Sequence, residues 1–576
     1  MIEVLLSWIW IGISAFLWGF AFTKVINKIS GYEKKTLDFI IILGLCFLTV
    51  YAEFFSLFYK VGVVASVVLF VINLVIFLLL KKEITTFVMK CLLASKIWYK
   101  IAILMLCTGV ILMISSTAVH HYDTYLYHAQ SIRWIEEYGI VPGMGNLHNR
   151  LAYNSAIFPL QALFSLEFLI GRSLHSINGF IVVLMLGYAL CTMKSFREKR
   201  VFASDFLRLL LIVFLLNEQN CGTISSPGSD ILALGLVAYI MTKWTSYWED
   251  GERDDAPYVM LSLLGVYAVS VKLSAAMIVL LALMPAVSLI RNKKWRQITV
   301  YISLGMIIIV PFLIRNIIIS GYLVYPYPEL DLFNVDWKMP EYTLLFDRNE
   351  IKAWGWGLND VSRFDAPLKE WFPVWIGSMG NLMQKMFYLN MMLLLPSVIY
   401  GIYRGIMKKE WNSLLMIITM ISCFALWFIG SPLPRYGSVF LMLLPIFILG
   451  KLMQHLMRDK KAGMWFCGIY VVCILICMEI PINYLSKNNI HKFKSPDYHQ
   501  IEANVRMLGD VVIYTPVNGD QMGYYKFPST PYGRRLDLIE LREDNLREGF
   551  RMKEEYKDAY VTTYGQVDEE SLFEEN

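Results

Sequence analysis

The chain has 576 residues, of which 57% are hydrophobic and 17% are charged, and its formal net charge is +5. A soluble globular protein carries about a quarter charged residues, so the composition excludes a soluble enzyme and indicates a helical membrane protein. The positive charge does not indicate a nucleic-acid partner, because Lys and Arg lie between apolar segments rather than along one face.

Apolar runs of membrane-spanning length recur along the chain. A helix needs about 20 mainly apolar residues to cross the hydrocarbon core. The predicted fold is therefore an all-α polytopic membrane domain over 1–482, followed by a small α/β soluble domain over 483–576. We predict fourteen spanning helices, at 2–23, 37–58, 61–80, 101–119, 174–193, 206–222, 230–247, 257–271, 273–290, 299–319, 385–405, 411–430, 436–456 and 463–482.

The basic loops indicate how the chain is oriented. Clusters of Lys and Arg follow the odd-numbered runs, notably at 24–35, 81–100 and 194–200, and the positive-inside rule makes these loops cytoplasmic. The acidic loop at 249–255 departs from this pattern. We predict a multi-pass protein of a bacterial inner membrane, in contact with membrane lipids. Its active site, its long loops 120–173 and 320–384 and both termini are then extracytoplasmic.

Loop 120–173 concentrates titratable side chains. Four of the eight histidines lie between positions 120 and 148, and such groups are costly at a membrane surface unless they serve chemistry or binding. Asp123, with His121 and His128, is the catalytic candidate: its carboxylate can take a proton from a hydroxyl or hold a divalent cation. It can alternatively cap the helix that follows. For the histidines, hydrogen bonding is favoured over metal ligation, because adjacent histidines rarely point at one ion.

The same loop has a helical pattern. Residues 152–170 read as a second surface helix, interrupted by Pro159. Further loop residues are candidates for contacting substrate: Tyr127, Arg133, His148, Arg150 and Asn154. Four residues recur at helical spacing and should share one face of a first surface helix: Asp123, Tyr127, Gln130 and Trp134.

Three cations stand where a lipid phosphate could bind. Arg315, followed by the candidate substrate contact Asn316, ends the tenth run, Arg435 opens the thirteenth, and Lys272 separates two apolar runs. A guanidinium can grip a phosphate through two parallel hydrogen bonds, although an arginine that simply extends to the interface is the alternative. Asp230, which opens the seventh run, is either a substrate contact or a helix cap.

The composition changes after residue 482. Charges occur throughout, an apolar strand is predicted at 510–515, and a stretch rich in Pro and Gly runs from 516 to 533. We expect this region to be of mixed structure and to pack against the long loops.

Over residues 100–460 the chain resembles the GT-C class of membrane glycosyltransferases. The likeness rests on Asp123 in the first large loop, a Ser-Pro-x-x-Asp-like turn ending at Asp230, Arg315-Asn316 before a Gly-Tyr-x-x-Tyr-Pro loop, and Arg435-Tyr436 before an apolar helix. Stretches 121–128 and 145–150 and the Pro-rich tail are similar to those of a group of bacterial polytopic proteins without an assigned function. Two features depart from the GT-C pattern: Thr124 replaces a frequent acidic residue, and about four helices rather than one precede the loop.

The resemblance implies a transferase that moves a sugar from a polyprenyl-phosphate donor to a glycan, lipid or protein acceptor. Asp123 would then be the general base, and Arg315, Arg435 or Lys272 would neutralise the departing phosphate. No organic cofactor is implied, and a divalent cation stays open. The alternatives are a flippase or transporter, which needs ionisable groups and broken helices at mid-membrane on both sides of the bilayer, a polysaccharide polymerase or ligase, and a non-catalytic assembly protein.

Overall fold

The structure is a computed structural model that describes residues 1–34, 36–93 and 97–557. Within these residues it is mainly helical, with a small strand region near the end of the chain. Lys35 and Lys96, from the predicted basic loops, and 558–576, from the predicted soluble domain, lie outside the described residues.

All fourteen apolar runs form helices, as the sequence predicts. Several helices extend past the apolar run into basic residues, because Lys is a good helix former and its long stem keeps the ammonium in water. The helices formed by the fourteen runs are Ile2–Ser30, Leu37–Ser56, Val63–Leu92, Ile97–Ser115, Ile177–Cys191, Ala203–Leu216, Asp230–Glu249, Asp255–Val271, Leu273–Arg291 (3₁₀ to Ala282), Trp295–Ser320, Asn381–Lys408, Trp411–Gly430, Pro434–Leu456 and Lys460–Lys487.

Eleven helices of the described residues are long and apolar enough to cross a membrane, and the protein is a multi-pass membrane protein on this criterion. The prediction of fourteen is therefore three too high by length and composition. Ala203–Leu216 has 14 residues and Asp255–Val271 has 17, while Asp230–Glu249 carries Lys243 and a polar C-terminal half. Residues 231–246 are all buried among other helices, so this helix contacts protein and needs less hydrophobicity than one facing lipid.

The loops expected to be basic meet at one end of the bundle, which we call the basic face. Lys34 pairs with Glu252 at 2.6 Å, and Lys194 pairs with Asp250 at 2.8 Å. The acidic loop at 249–255 therefore supplies counter-charges to the basic loops on the same face, which explains why it departs from their charge pattern.

The opposite end, which we call the site face, is built from 116–176, 321–380 and 488–557. Buried side chains from all three segments form one hydrophobic core that includes Trp134, Tyr322 and Phe550. The C-terminal region thus shares its core with the two long loops. Backbone hydrogen bonds reinforce this packing, since Phe550 N donates to Pro142 O at 3.0 Å and Met522 N to Tyr125 O at 2.7 Å.

The strands are short. Ala503–Leu508 pairs antiparallel with Val511–Pro516, with Ala503 opposite Pro516, and Ile539–Leu541 pairs with Phe550–Met552. The strand predicted at 510–515 is therefore confirmed within one residue. A four-residue helix, Arg535–Leu538, precedes the second hairpin.

The first surface helix differs from its prediction. Thr124–His128 is a π-helical turn that continues into the α-helix Ala129–Glu137. A π turn changes the angular spacing of side chains, so the four residues expected on one face divide. Asp123 and Tyr127 line a cavity, whereas Gln130 and Trp134 are buried beneath the C-terminal region.

Pro159 also acts differently from the prediction. It lies in the first turn of the helix Ile157–Leu163, where its missing N–H costs no helical hydrogen bond. A separate short helix, Glu167–Ile170, follows it. The proline therefore lies in the first turn of a helix and does not interrupt one.

Candidate functional site

A cavity of about 600 Å³ opens between the site face and the helix bundle. Its wall is contributed by the loop after the fourth helix, the start of Asp230–Glu249, the break before Leu273–Arg291, the long loop 321–380 and the start of Pro434–Leu456. Ten predicted site residues line it: His121, Asp123, Tyr127, His128, Arg150, Asn154, Asp230, Lys272, Asn316 and Arg435.

Arg435 is the centre of a set of charges that we call the ionic cluster, formed by Asp123, Asp230, Lys272 and Arg435. Its Nη2 donates to Asp123 Oδ2 at 2.6 Å, and its Nε lies 3.6 Å from Asp230 Oδ2. Its Nη1 lies 3.2 Å from His121 Nε2. One guanidinium at a helix start therefore joins two carboxylates from distant segments, which is the reason for a cation where the helix macrodipole disfavours one.

Lys272 completes the cluster. Its backbone is extended (φ −157°, ψ 125°) between two helices, so the chain breaks at this residue and its side chain reaches the cavity. Lys272 Nζ forms an ion pair with Asp230 Oδ1 and lies 3.9 Å from the centre of the Tyr436 ring. The anionic neighbour that the sequence around Lys272 lacks is thus supplied by a residue 42 positions away.

The cluster keeps Asp123 ionised. Burial opposes ionisation of this carboxyl, but the positive charge of Arg435 outweighs burial and holds its pKa below the ordinary value. Two carboxylates face two cations, so the cluster is balanced in charge. Each of its four side chains is only about one-fifth exposed. An arriving anion would therefore compete with the carboxylates for Arg435 and Lys272.

The two histidines beside Asp123 are neutral. Their rings are parallel within 7° at a centroid distance of 5.8 Å. Burial lowers the pKa of His128 to about 3, and burial together with the nearby cations lowers that of His121. In the described part of the chain, neither buried Nδ1 has a hydrogen-bond partner. The described residues also contain no group of three or more His, Cys, Asp or Glu arranged to hold a metal ion.

A polar framework fixes the turn that presents Asp230. Thr124 Oγ1 lies 2.6 Å from Ser226 Oγ, and Asn178 donates to Ser226 O at 2.7 Å and Gly228 O at 2.8 Å. The π turn that follows Asp123 is therefore joined to the segment that carries Asp230. Sequence reasoning missed Asn178, because it lies inside an apolar run; a lone amide in such a run is the signal that could have indicated it.

The far side of the cavity is held by a second buried ion pair. Arg150 Nη1 lies 3.2 Å from Asp347 Oδ1 and its Nη2 lies 2.5 Å from Glu350 Oε2. Both acids belong to Glu341–Gly355 in the second long loop. Asn154 donates to Asn316 Oδ1 at 3.0 Å. The loop 120–173 is thus joined to the second loop and to the tenth helix.

Three predicted site residues do not line the cavity. Arg315 is buried, where its Nε donates to Asn154 Oδ1 at 3.0 Å and its Nη1 to Ser56; it supports Asn154 and does not reach a cavity phosphate. Arg133 donates to Tyr524 O at 2.9 Å and contacts the C-terminal region. His148 is buried near the Tyr532 ring, at 6.2 Å between centroids.

The cavity also contains residues that the sequence did not single out as site residues. Tyr436 accepts a hydrogen bond of 2.7 Å from Arg435. The second long loop contributes Arg348 and Trp354, and Tyr153 extends the wall. A chain with 33 Tyr and 16 Trp gives no local sign of which aromatic residues line a cavity.

No curated protein and no solved structure matches the chain significantly. The family model described as a domain of unknown function, DUF8201, matches residues 1–442. That segment contains every residue that lines the cavity. The chain therefore belongs to the DUF8201 family.

Proposed function

We propose that the protein is a membrane glycosyltransferase that moves a sugar from a polyprenyl-phosphate donor to an acceptor hydroxyl, with Asp123 as the general base. One observation carries the proposal: an ionised carboxylate and two cations line the same cavity at the end of a membrane-embedded bundle. Lipid-linked phosphates are anionic at the membrane surface, where such a cluster lies. Its geometry supplies both a proton acceptor and a site for an anion.

The reaction needs one proton transfer and one displacement. Asp123 takes the proton of the acceptor hydroxyl, whose oxygen then attacks the anomeric carbon of the donor. The bond from that carbon to the phosphate oxygen breaks, and the phosphate leaves with the electron pair. Arg435 and Lys272 neutralise the developing charge. Because the phosphate competes with Asp123 for Arg435, donor binding would also raise the pKa of Asp123 and strengthen it as a base.

The proposal also includes the side of the membrane on which the cavity lies. The basic loops lie on the face opposite the cavity, and the positive-inside rule favours a cytoplasmic position for such loops. The cavity and both termini would then be extracytoplasmic, as would the polyprenyl-phosphate sugar.

The test measures donor consumption, which does not require the acceptor to be known. Membranes of the native cell, depleted of the endogenous protein, supply both substrates, and release of polyprenyl phosphate is followed by mass spectrometry after adding purified protein. Asp123→Asn should reduce the rate about 10²- to 10⁴-fold, whereas Asp331→Asn, exposed on the same face, should not. Full turnover by Asp123→Asn excludes it as the base, and no release with the unaltered protein excludes the transferase.

One observation favours flipping of a lipid-linked sugar as a second candidate. The helix that begins at Asp230 carries Lys243 toward the basic face, where Lys243 and Asp38 form a buried ion pair at 2.8 Å. Ionisable residues buried within a membrane protein mark candidate substrate or ion pathways, and a flippase needs such a pathway from one face to the other. A fluorescent polyprenyl diphosphate in proteoliposomes distinguishes the two: a flippase makes it accessible to a membrane-impermeant quencher from the other leaflet, and a transferase does not.

A further inference from the structure

One wall of the cavity is not used by the proposed mechanism. Trp354 lies 5.5 Å from the Arg150 guanidinium, which lies 5.9 Å from the Tyr153 ring. Tyr153 and Tyr127 are 6.1 Å apart between centroids, and Tyr127 contacts His128 at 4.4 Å. We call these five residues the stacked wall. His128 in turn stacks on the imidazole that contacts Arg435, so the wall leads to the ionic cluster.

The outer end of the stacked wall is open to water. Trp354 is 42% exposed, and two further cavity residues, Tyr327 and Tyr122, are 41% and 49% exposed. Single exposed aromatic residues on a surface need no explanation. These three come from the two long loops and line one cavity, which is the arrangement expected of a ligand site.

The helix Glu341–Gly355 fixes this end. Arg348, Ile351 and Trp354 are spaced three residues apart and all line the cavity, so one helix face is turned toward it. The adjacent face carries Asp347 and Glu350, which both pair with Arg150. These two ion pairs therefore hold in place the helix face that carries Trp354.

This surface has the chemistry that binds a sugar ring. The face of an aromatic ring is negative and attracts the weakly positive C–H groups on the flat side of a pyranose. The rim hydroxyls of the sugar need hydrogen-bonding groups, and Arg348, Asn154 and Asn316 line the same cavity. An alkyl chain would make no hydrogen bonds to these polar side chains and would remove water from them, which is costly, so this part of the cavity suits a sugar better than a lipid tail.

We infer that the stacked wall is the acceptor subsite and that the acceptor is a carbohydrate chain. This inference rests on the proposed function and names its acceptor class. Sugar units would stack between Trp354 and Tyr127, with the terminal hydroxyl at Asp123. Trp354 and Tyr327 would determine specificity at the outer end.

The experiment measures binding of defined hexasaccharides of N-acetylglucosamine, mannose and glucose to the purified full-length protein in nanodiscs. At least one hexasaccharide should bind to the unaltered protein. Trp354→Ala should weaken binding at least tenfold, and Trp354→Phe, which keeps a ring, should weaken it less than threefold. Phe493→Ala, exposed on the site face and outside the cavity, should bind normally.

Undecaprenyl phosphate binding, measured in parallel, separates this inference from the proposed function. Trp354→Ala should leave binding of the lipid phosphate unchanged. No hexasaccharide binding by the unaltered protein, or equal binding by Trp354→Ala, overturns the carbohydrate acceptor. Binding that depends on Trp354 in a protein that neither binds undecaprenyl phosphate nor releases it from sugar instead overturns the transferase and leaves a carbohydrate site.

Discussion

Arg435 and Asp123 are 312 positions apart in the chain, yet Arg435 Nη2 lies 2.6 Å from Asp123 Oδ2. The pair joins the loop after the fourth helix to the start of Pro434–Leu456. It also brings Asp230 and, through Asp230, Lys272 into one cluster. This contact places the proposed proton acceptor beside a cation of the proposed anion site.

Arg435→Gln should change how stability depends on pH. In the unaltered protein the pKa of Asp123 is below its ordinary value of 3.8, so the pair stabilises the fold above that pH and loses its effect as the pH falls through the lower, folded-state pKa. Without Arg435, burial dominates and raises the pKa of Asp123. The melting temperature of the variant, relative to the unaltered protein, should then rise as the pH falls from 7 to 5. A constant difference across that range contradicts the assignment.

His128 should make the unaltered protein less stable in mild acid. Its pKa is about 3 in the fold against 6.5 ordinarily, so the unfolded chain binds more protons between these values and stability falls as the pH drops below 6.5. From pH 6.5 to 5 this amounts to about 2 kcal/mol. In His128→Gln, the free energy of unfolding, measured by chemical unfolding, should lose this part of its dependence on pH. His455→Gln, outside the cavity, serves as control and should keep the slope.

Lys272→Ala should weaken binding of undecaprenyl phosphate about tenfold, because it removes one of the two cations of the ionic cluster, and it should leave binding of undecaprenol unchanged. Lys272→Arg retains the charge and should restore most of the affinity. Surface plasmon resonance on nanodiscs measures both ligands. Equal loss for phosphate and alcohol would show that the lysine shapes the cavity rather than binding the anion.

Arg150→Met should destabilise the protein by about 3–5 kcal/mol, because it leaves the buried Asp347 carboxylate without its cation. The Arg150 and Asp347 side chains are 9% and 0% exposed, so water cannot replace the lost cation beside the carboxylate. The double variant Arg150→Met, Asp347→Asn should recover part of that loss in chemical unfolding. If the double variant is no more stable than Arg150→Met, the ion pair does not account for the effect.

Tyr524→Phe should loosen the C-terminal region. The Tyr524 hydroxyl donates to Glu136 Oε2 at 2.7 Å and lies 2.6 Å from Ser173 Oγ, and losing a hydrogen bond to a buried carboxylate costs about 1–3 kcal/mol. Limited proteolysis within 488–557 should become several-fold faster. The matched variant Tyr388→Phe lies on an exposed helix surface and should be cleaved at the unaltered rate; faster cleavage there would indicate a general effect.

Most of the bundle could be predicted from sequence, because long apolar runs have one favourable structure in a bilayer. The fourteen helices occur where predicted, while Ala203–Leu216 and Asp255–Val271 are too short to count as spans by length. The π turn at Thr124–His128 was not predictable, since no residue type specifies it. Arg315 and Arg435 look alike in sequence, both being arginines at a helix end, but only Arg435 lines the cavity.

The sequence by itself determined the class of protein, the placement of its helices and the loop that carries Asp123, because hydrophobicity and charge act locally along the chain. Only the tertiary structure decided which of several plausible cations meets that carboxylate, which aromatic residues form the stacked wall, and that Arg315 supports the cavity from outside. These contacts depend on how distant helices and loops pack together, and such packing is a property of the whole fold rather than of any one segment.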